Sequence, residues 1–96
     1  MPSISILYPE ENRQTMQIPK EGLLIGRSSA CDLCLADEFV SAKHCKVFFE
    51  NEELFIEDLG SSNGTFIDGT EIKTQCATPI VPGQGIQVGI MEMKIA

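Results

Sequence analysis

DLGSSNGTFIDGT, residues 58 to 70, places two turn signals around a scrap of β-forming sequence. The second signal, Asp68-Gly69, lies between short β-formers. A two-residue hairpin needs positive φ at both central positions, and Asp and Gly reach it at low cost. The first signal, Gly60-Ser61-Ser62-Asn63-Gly64, is richer than a turn requires. Gly60 and Gly64 allow a sharp bend and Asn63 tolerates left-handed geometry. The Asn63 amide offers one acceptor and two donors, enough to hold another chain's peptide group from both sides. Ser62 adds a short donor, whereas Ser61 reads as a plain polar loop residue. Surplus polarity of this kind marks a candidate site.

Short β-forming runs extend in both directions from this stretch: 3–8, 15–18, 22–27, 32–36, 45–50, 53–59, 65–67, 70–74, 85–89 and 91–96. "LFIE" and "IQV" carry the period-two alternation of half-buried strands. No segment sustains helical periodicity, and turn material recurs about every ten residues, which predicts an all-β sandwich. "PIVPGQG" (79–85) reads as a Pro/Gly connection.

Ninety-six residues, 43% hydrophobic and 22% charged, suit one small globular domain over 1–96. No apolar run reaches the roughly 18 to 20 residues that span a bilayer, and the N-terminus has no secretory pattern. The expectation is a cytoplasmic protein without membrane contact. Fourteen acids against seven bases give a net charge of −7. The bases (Arg13, Lys20, Arg27, Lys43, Lys46, Lys73 and Lys94) are scattered, which argues against nucleic acid, since that ligand needs clustered cations for its phosphates. A single small anion needs only two or three bases that converge locally.

Of four cysteines, Cys31 and Cys34 form a CxxC, with Cys45, Cys76 and the single His44 elsewhere. A second metal-ligand pair would have to be His44-Cys45, adjacent residues that face opposite ways on a strand. The expectation is no metal and no cofactor, with free, partly buried thiols acting as small hydrophobes. Ser41 near His44 raises nucleophilic catalysis, but no Gly-x-Ser-x-Gly elbow surrounds Ser41 and no acid is placed against His44. His44 reads as a hydrogen-bonded scaffold residue, and no enzymatic activity is expected.

Two further polar segments sit at strand ends, "GRSSACD" (26–32) and "EFVSAKHC" (38–45). Arg27 follows an apolar run and a glycine, and its planar guanidinium fork suits a carboxylate or phosphate. Gly26-Arg27, then Ser41-x-x-His44, then DLGSSNGTFIDG, in that order, resemble the forkhead-associated (FHA) domain. The resemblance covers nearly the whole chain and is densest from Gly22 to Ile72.

That resemblance implies an FHA-type sandwich of about eleven short, mostly antiparallel strands, whose apical loops bind phosphothreonine on partner proteins without catalysis. By position, Arg27 would hold the phosphate with Ser41, Lys43 would add charge, and Ser62 would stand at the phosphate and peptide edge. Asn63 would hold the ligand's main chain, while Gly26, His44 and Gly64 match architectural positions. Ala42 departs from the family, which often has Arg or Asn there to reach the ligand, and Gln84 stands where an acid is common. The alternative use of the same fold is a scaffold or oligomerisation domain with weak or no phosphate dependence, and the sequence leaves the oligomeric state open.

Overall fold

A computed structural model describes residues 3–8 and 15–96; Arg13 lies outside them. Among the described residues there are eleven strands: β1 (Ser3–Tyr8), β2 (Thr15–Gln17), β3 (Leu23–Gly26), β4 (Leu33–Cys34), β5 (Cys45–Glu50), β6 (Glu53–Asp58), β7 (Thr65–Ile67), β8 (Thr70–Glu71), β9 (Thr78–Pro79), β10 (Gly85–Val88) and β11 (Met91–Ile95). They form a six-stranded sheet, ordered β2-β1-β11-β10-β7-β8, and a five-stranded sheet, ordered β4-β3-β5-β6-β9. Neighbouring strands are antiparallel except β3 and β4. Among the described residues no helix is long and apolar enough to cross a membrane.

Alternation along the strands builds the core. On β5 and β6 the inward residues are Cys45, Val47, Leu54 and Ile56, all buried, and Val47 faces Ile56 across the ladder. Ile86, Val88, Met93 and Ile95 supply the opposing sheet, with Ile86 on Met93. Burying each of these side chains contributes about 1.5–3 kcal/mol. Outward positions on β5 and β6 are polar or aromatic, and Phe48 stacks on Phe55 with ring centroids 6.0 Å apart.

The hairpin at residues 65–71 forms as expected, with Asp68 at φ 49° and Gly69 at φ 84°. Three expectations need correction. The run at 70–74 is a strand only over Thr70–Glu71, because the chain then turns to Asp58, which forms a single parallel bridge with Thr74 and whose carbonyl accepts from Gln75 N at 2.7 Å. The run at 32–36 shortens to Leu33–Cys34. The connection at 79–85 begins inside a strand, β9, which pairs with β6 through Phe55–Pro79 and Ile56–Thr78.

Strand order fixes where the polar loops meet. β3 runs antiparallel to β5, with Ile25 opposite Cys45, so the end of β3 lies beside the start of β5. β6 is also antiparallel to β5, with Cys45 opposite Asp58, so the end of β6 reaches the same place. The segment after β3, the segment before β5 and the segment after β6 therefore converge on one end of the sandwich.

Candidate functional site

His44 ties the three segments together. It is fully buried; its main-chain N donates to Ile25 O at 2.9 Å and its carbonyl accepts from Leu59 N at 2.9 Å. Its Nδ1 accepts from Ser41 N at 3.1 Å, which leaves the proton on Nε2 to donate to Gly64 O at 2.8 Å. Both ring nitrogens are thus committed to backbone, and neither is available as a base for the Ser41 hydroxyl. The His44 ring therefore bridges the Ser41 and Gly64 main chains and offers the Ser41 hydroxyl no base.

Ser41 and Ser62 come from different loops and meet directly. Ser62 N donates to Ser41 Oγ at 3.1 Å. The Ser41 hydroxyl is then an acceptor towards the protein, and its own proton remains free for an outside acceptor. Arg27 lies alongside, its N donating to Ser41 O at 3.0 Å while Ser28 N donates to Ala42 O at 3.2 Å. Arg27, Lys43, Ser62 and Asn63 are exposed and Ser41 is half-exposed. Burial pushes the Cys31 thiol up, and Cys34 adds to that effect, while the Lys43 ammonium opposes it.

Asn63 differs in two respects from the sequence reading. Its Nδ2 donates to Phe39 O at 2.8 Å, so one donor is spent within the protein, leaving Oδ1 and the second N–H for another chain. Asn63 also does not take up left-handed geometry, whereas Gly60 (φ 87°) and Gly64 (φ 85°) do.

The loop's stiffness comes from Asp58 and Ser61, neither of which stands out in the sequence as a site residue. Asp58 is buried. Its Oδ2 accepts from Gly60 N and Ser61 N, each at 3.1 Å. Its Oδ1 accepts from the Ser61 hydroxyl and from Thr65 Oγ1, the latter at 2.7 Å. Ser61 Oγ in turn accepts from Gly64 N at 3.0 Å. Burial raises the Asp58 pKa, but the Ser61 and Thr65 hydroxyls and two N–H groups outweigh it and hold the carboxyl below its ordinary value. The reading of Ser61 as plain loop is overturned: it links the carboxylate to the turn. The available signal is the spacing Asp58-x-x-Ser61, an Asp at a strand end followed by residues that can bond back to it.

These geometries fit what comparison with known proteins shows. The sequence model of the FHA domain matches residues 23–89. The chain belongs to the FHA domain family. It is 33% identical over 72 residues to the FHA domain-containing protein FhaB of Mycobacterium tuberculosis, which covers 75% of this chain and 45% of FhaB. Its identity with FhaB of Mycolicibacterium smegmatis is 36% over 74 residues, covering 75% of this chain and 46% of that protein. The chain thus spans less than half the length of these relatives. Among solved structures, the FhaA FHA domain complexed with the intracellular domain of Rv3910 superposes with a TM-score of 0.88 at 21% identity, covering 100% of both chains. The N-terminal FHA domain of Saccharomyces cerevisiae Rad53p, solved with a phosphothreonine peptide, gives 0.84 at 20% identity, over 98% of this chain and 90% of that one. At these identities the likeness shows a shared fold.

Within this FHA domain Gly26 is fixed by space. A Cβ there would lie 2.2 Å from Ala42 O and 2.9 Å from Cys31 Sγ. Ala42 thus contributes through its carbonyl, which also accepts from Cys31 Sγ at 3.1 Å. Gly26→Ala should destabilise the domain by about 2 kcal/mol, the scale of overpacking a filled site, measured by urea denaturation.

A second carboxylate organises the apolar side of the loops. Asp37, buried, accepts from Phe39 N at 2.9 Å and from Ile90 N at 2.8 Å. It holds the β4–β5 loop against the β10–β11 turn and presents Phe39 and Ile90, 50% and 47% exposed. With Phe66 and Asn63 they line a cleft of about 250 Å³. The thiols differ from the expected partial burial: Cys31 and Cys45 are buried, Cys34 and Cys76 exposed, and all four are unbridged. Burial, reinforced by the Asp58 carboxylate, pushes Cys45 up to about 12, leaving it a small hydrophobe at neutral pH.

Proposed function

We propose that residues 1–96 form one non-catalytic FHA module that binds phosphothreonine-containing segments of partner proteins through the three converging loops. The observation that carries this reading is the Ser62–Ser41 contact. It joins two loops beside Arg27 and leaves the Ser41 hydroxyl proton uncommitted, so that an anion can accept it. In this assignment Arg27 supplies the bidentate fork, Ser41 and Ser62 supply short donors and Lys43 supplies charge. Asn63 meets the ligand backbone with the donor and acceptor that Phe39 leaves free. His44, Gly26 and Gly64 hold the frame. The cleft between Phe39 and Ile90 gives an apolar side chain of the ligand a place beside Asn63.

A phosphate monoester brings about −1.5 to −2 charge and three acceptor oxygens. Two or three charge-assisted hydrogen bonds at about 1.5–3 kcal/mol each, with the Asn63 contacts, give micromolar affinity, about −8 kcal/mol. The acidic surface opposes an anion, but exposed charges are screened beyond about 8–10 Å in physiological salt, so local donors dominate.

A screen of oriented phosphothreonine libraries, followed by calorimetry on the best peptide, tests the reading. Binding should vanish when the peptide is dephosphorylated. It should also weaken about fourfold between pH 7.5 and 5.5, because the phosphate dianion becomes a minority below its second pKa near 6. Affinity that survives phosphatase treatment would instead favour a scaffold role.

A further inference from the structure

The opposite pole of the sandwich carries a surface that the phosphate loops leave unused. β5 and β6 each run six residues, about 20 Å at strand rise, and that length separates the loops from the β5–β6 turn. Beside this turn lies a groove of about 440 Å³. Its floor is apolar: Leu54 and Ile80 are buried and Phe49 is half-buried. Pro79, Val81 and Pro82 form one wall, and Val81 is 57% exposed. Glu52 and Glu53 form the other, with Glu50 opposite Glu53 across the hairpin, and all three acids are exposed.

The N–H groups that the groove's β9 side could have offered to an added strand are already bonded. Ile80 N donates to Leu54 O at 3.0 Å and Val81 N donates to Gln84 Oε1 at 2.9 Å. What remains for an occupant is apolar floor and carboxylate rim. Aliphatic side chains bury on the first, and a Lys or Arg, whose stem covers apolar surface while its head stays wet, meets the second. A chain of net charge −7 also steers a basic partner towards itself.

We infer that this groove docks an extended segment of a partner protein in which a basic residue neighbours an aliphatic one. The docking is separate from the phosphate site, so one domain joins two ligands at opposite poles.

Glu52 makes the inference testable with readouts of opposite sign. It holds φ 66° after Asn51 at φ 52°. Asn-Gly is the preferred pair for such a turn, and left-handed geometry is costly for a residue with a side chain. Glu52→Gly therefore relieves strain while removing a rim carboxylate. The probe is an array of decapeptides, each with one Lys or Arg beside one Leu, Ile or Met. Control arrays replace the basic residue with Glu or the aliphatic one with Ser.

Binders should be confined to the basic–aliphatic array. Val81→Ser and Glu52→Gly should each weaken the best binder at least fivefold. Glu52→Gly should at the same time raise the melting temperature by a few degrees, and Val81→Ser should leave phosphothreonine-peptide affinity unchanged. The inference is overturned by a silent array, by equal binding to the Glu controls, or by insensitivity to Val81→Ser. It is likewise overturned if sedimentation shows a dimer that Val81→Ser dissolves, since the groove would then seat a second copy of this chain.

Discussion

Arg27→Ala should lower affinity for a phosphothreonine peptide by roughly 30-fold to several thousand-fold, the equivalent of losing about 2–5 kcal/mol when one partner of a desolvated charge pair is removed. Fold stability should stay within about 0.5 kcal/mol of the parent, as for a surface substitution. The separation follows from how Arg27 is held. Its N donates to Ser41 O at 3.0 Å and its carbonyl accepts from Cys34 Sγ at 3.2 Å, and alanine keeps both contacts. The side chain is exposed at the end of β3, so its removal leaves no cavity.

Arg27→Lys is the informative companion. It keeps the charge and loses the planar fork, and should fall between parent and alanine. Calorimetry gives affinity and urea denaturation gives stability. Unchanged affinity in the alanine variant would remove Arg27 from the site. A parallel fall in stability would mean that the loss of binding reports unfolding.

Much of the fold is legible in the order of the residues, and the reasons are local. β5 and β6 alternate cleanly because one face is core and the other solvent, and the Asp68-Gly69 turn is written in residues that accept positive φ. β9 is not legible because it is two residues long and ends on Pro79, which cannot donate to a ladder; its strand character exists only through pairing with β6. Exposed groups of the candidate site stand out for a related reason. Arg27 and Ser41 follow apolar runs, and Asn63 sits in a turn richer in polar groups than a bend needs, so nothing in the core explains them.

The carboxylates beneath them do not stand out. Asp37 and Asp58 look like any strand-end acid until the segments that surround them are in place. Phe39 and Ile90 belong to loops 51 residues apart, and no pattern along the chain joins them before Asp37 does.

Asp58 is therefore where the fold and the site are most tightly coupled, and its removal should have a large effect on stability. Asp58→Ala strips acceptors from the Ser61 hydroxyl, the buried Thr65 Oγ1 and two main-chain N–H groups. Each buried polar group left without a partner costs about 1–3 kcal/mol. The N–H groups of exposed Gly60 and half-exposed Ser61 recover water, so the net loss should be about 3 kcal/mol. For a domain of this size that lowers the melting temperature by roughly 12–24 °C.

Asp58→Asn should cost about half as much. Its amide oxygen can face the two N–H groups while its NH₂ faces hydroxyls that rotate to accept. The carboxylate also sets a pH dependence. Its folded pKa lies below the ordinary value, so the unfolded chain takes up the proton first as pH falls. Ionised Asp58 then stabilises the fold above about pH 4, and that contribution is lost as pH drops through the folded value. The parent should consequently lose more stability than Asp58→Asn between pH 7 and pH 3, and the gap between them should narrow. Because the same carboxylate holds the turn that carries Ser62 and Asn63, phosphopeptide affinity should fall in Asp58→Asn even at temperatures where the variant is fully folded. Melting curves of both variants that match the parent to within 2 °C would show that the turn is held by its glycines alone.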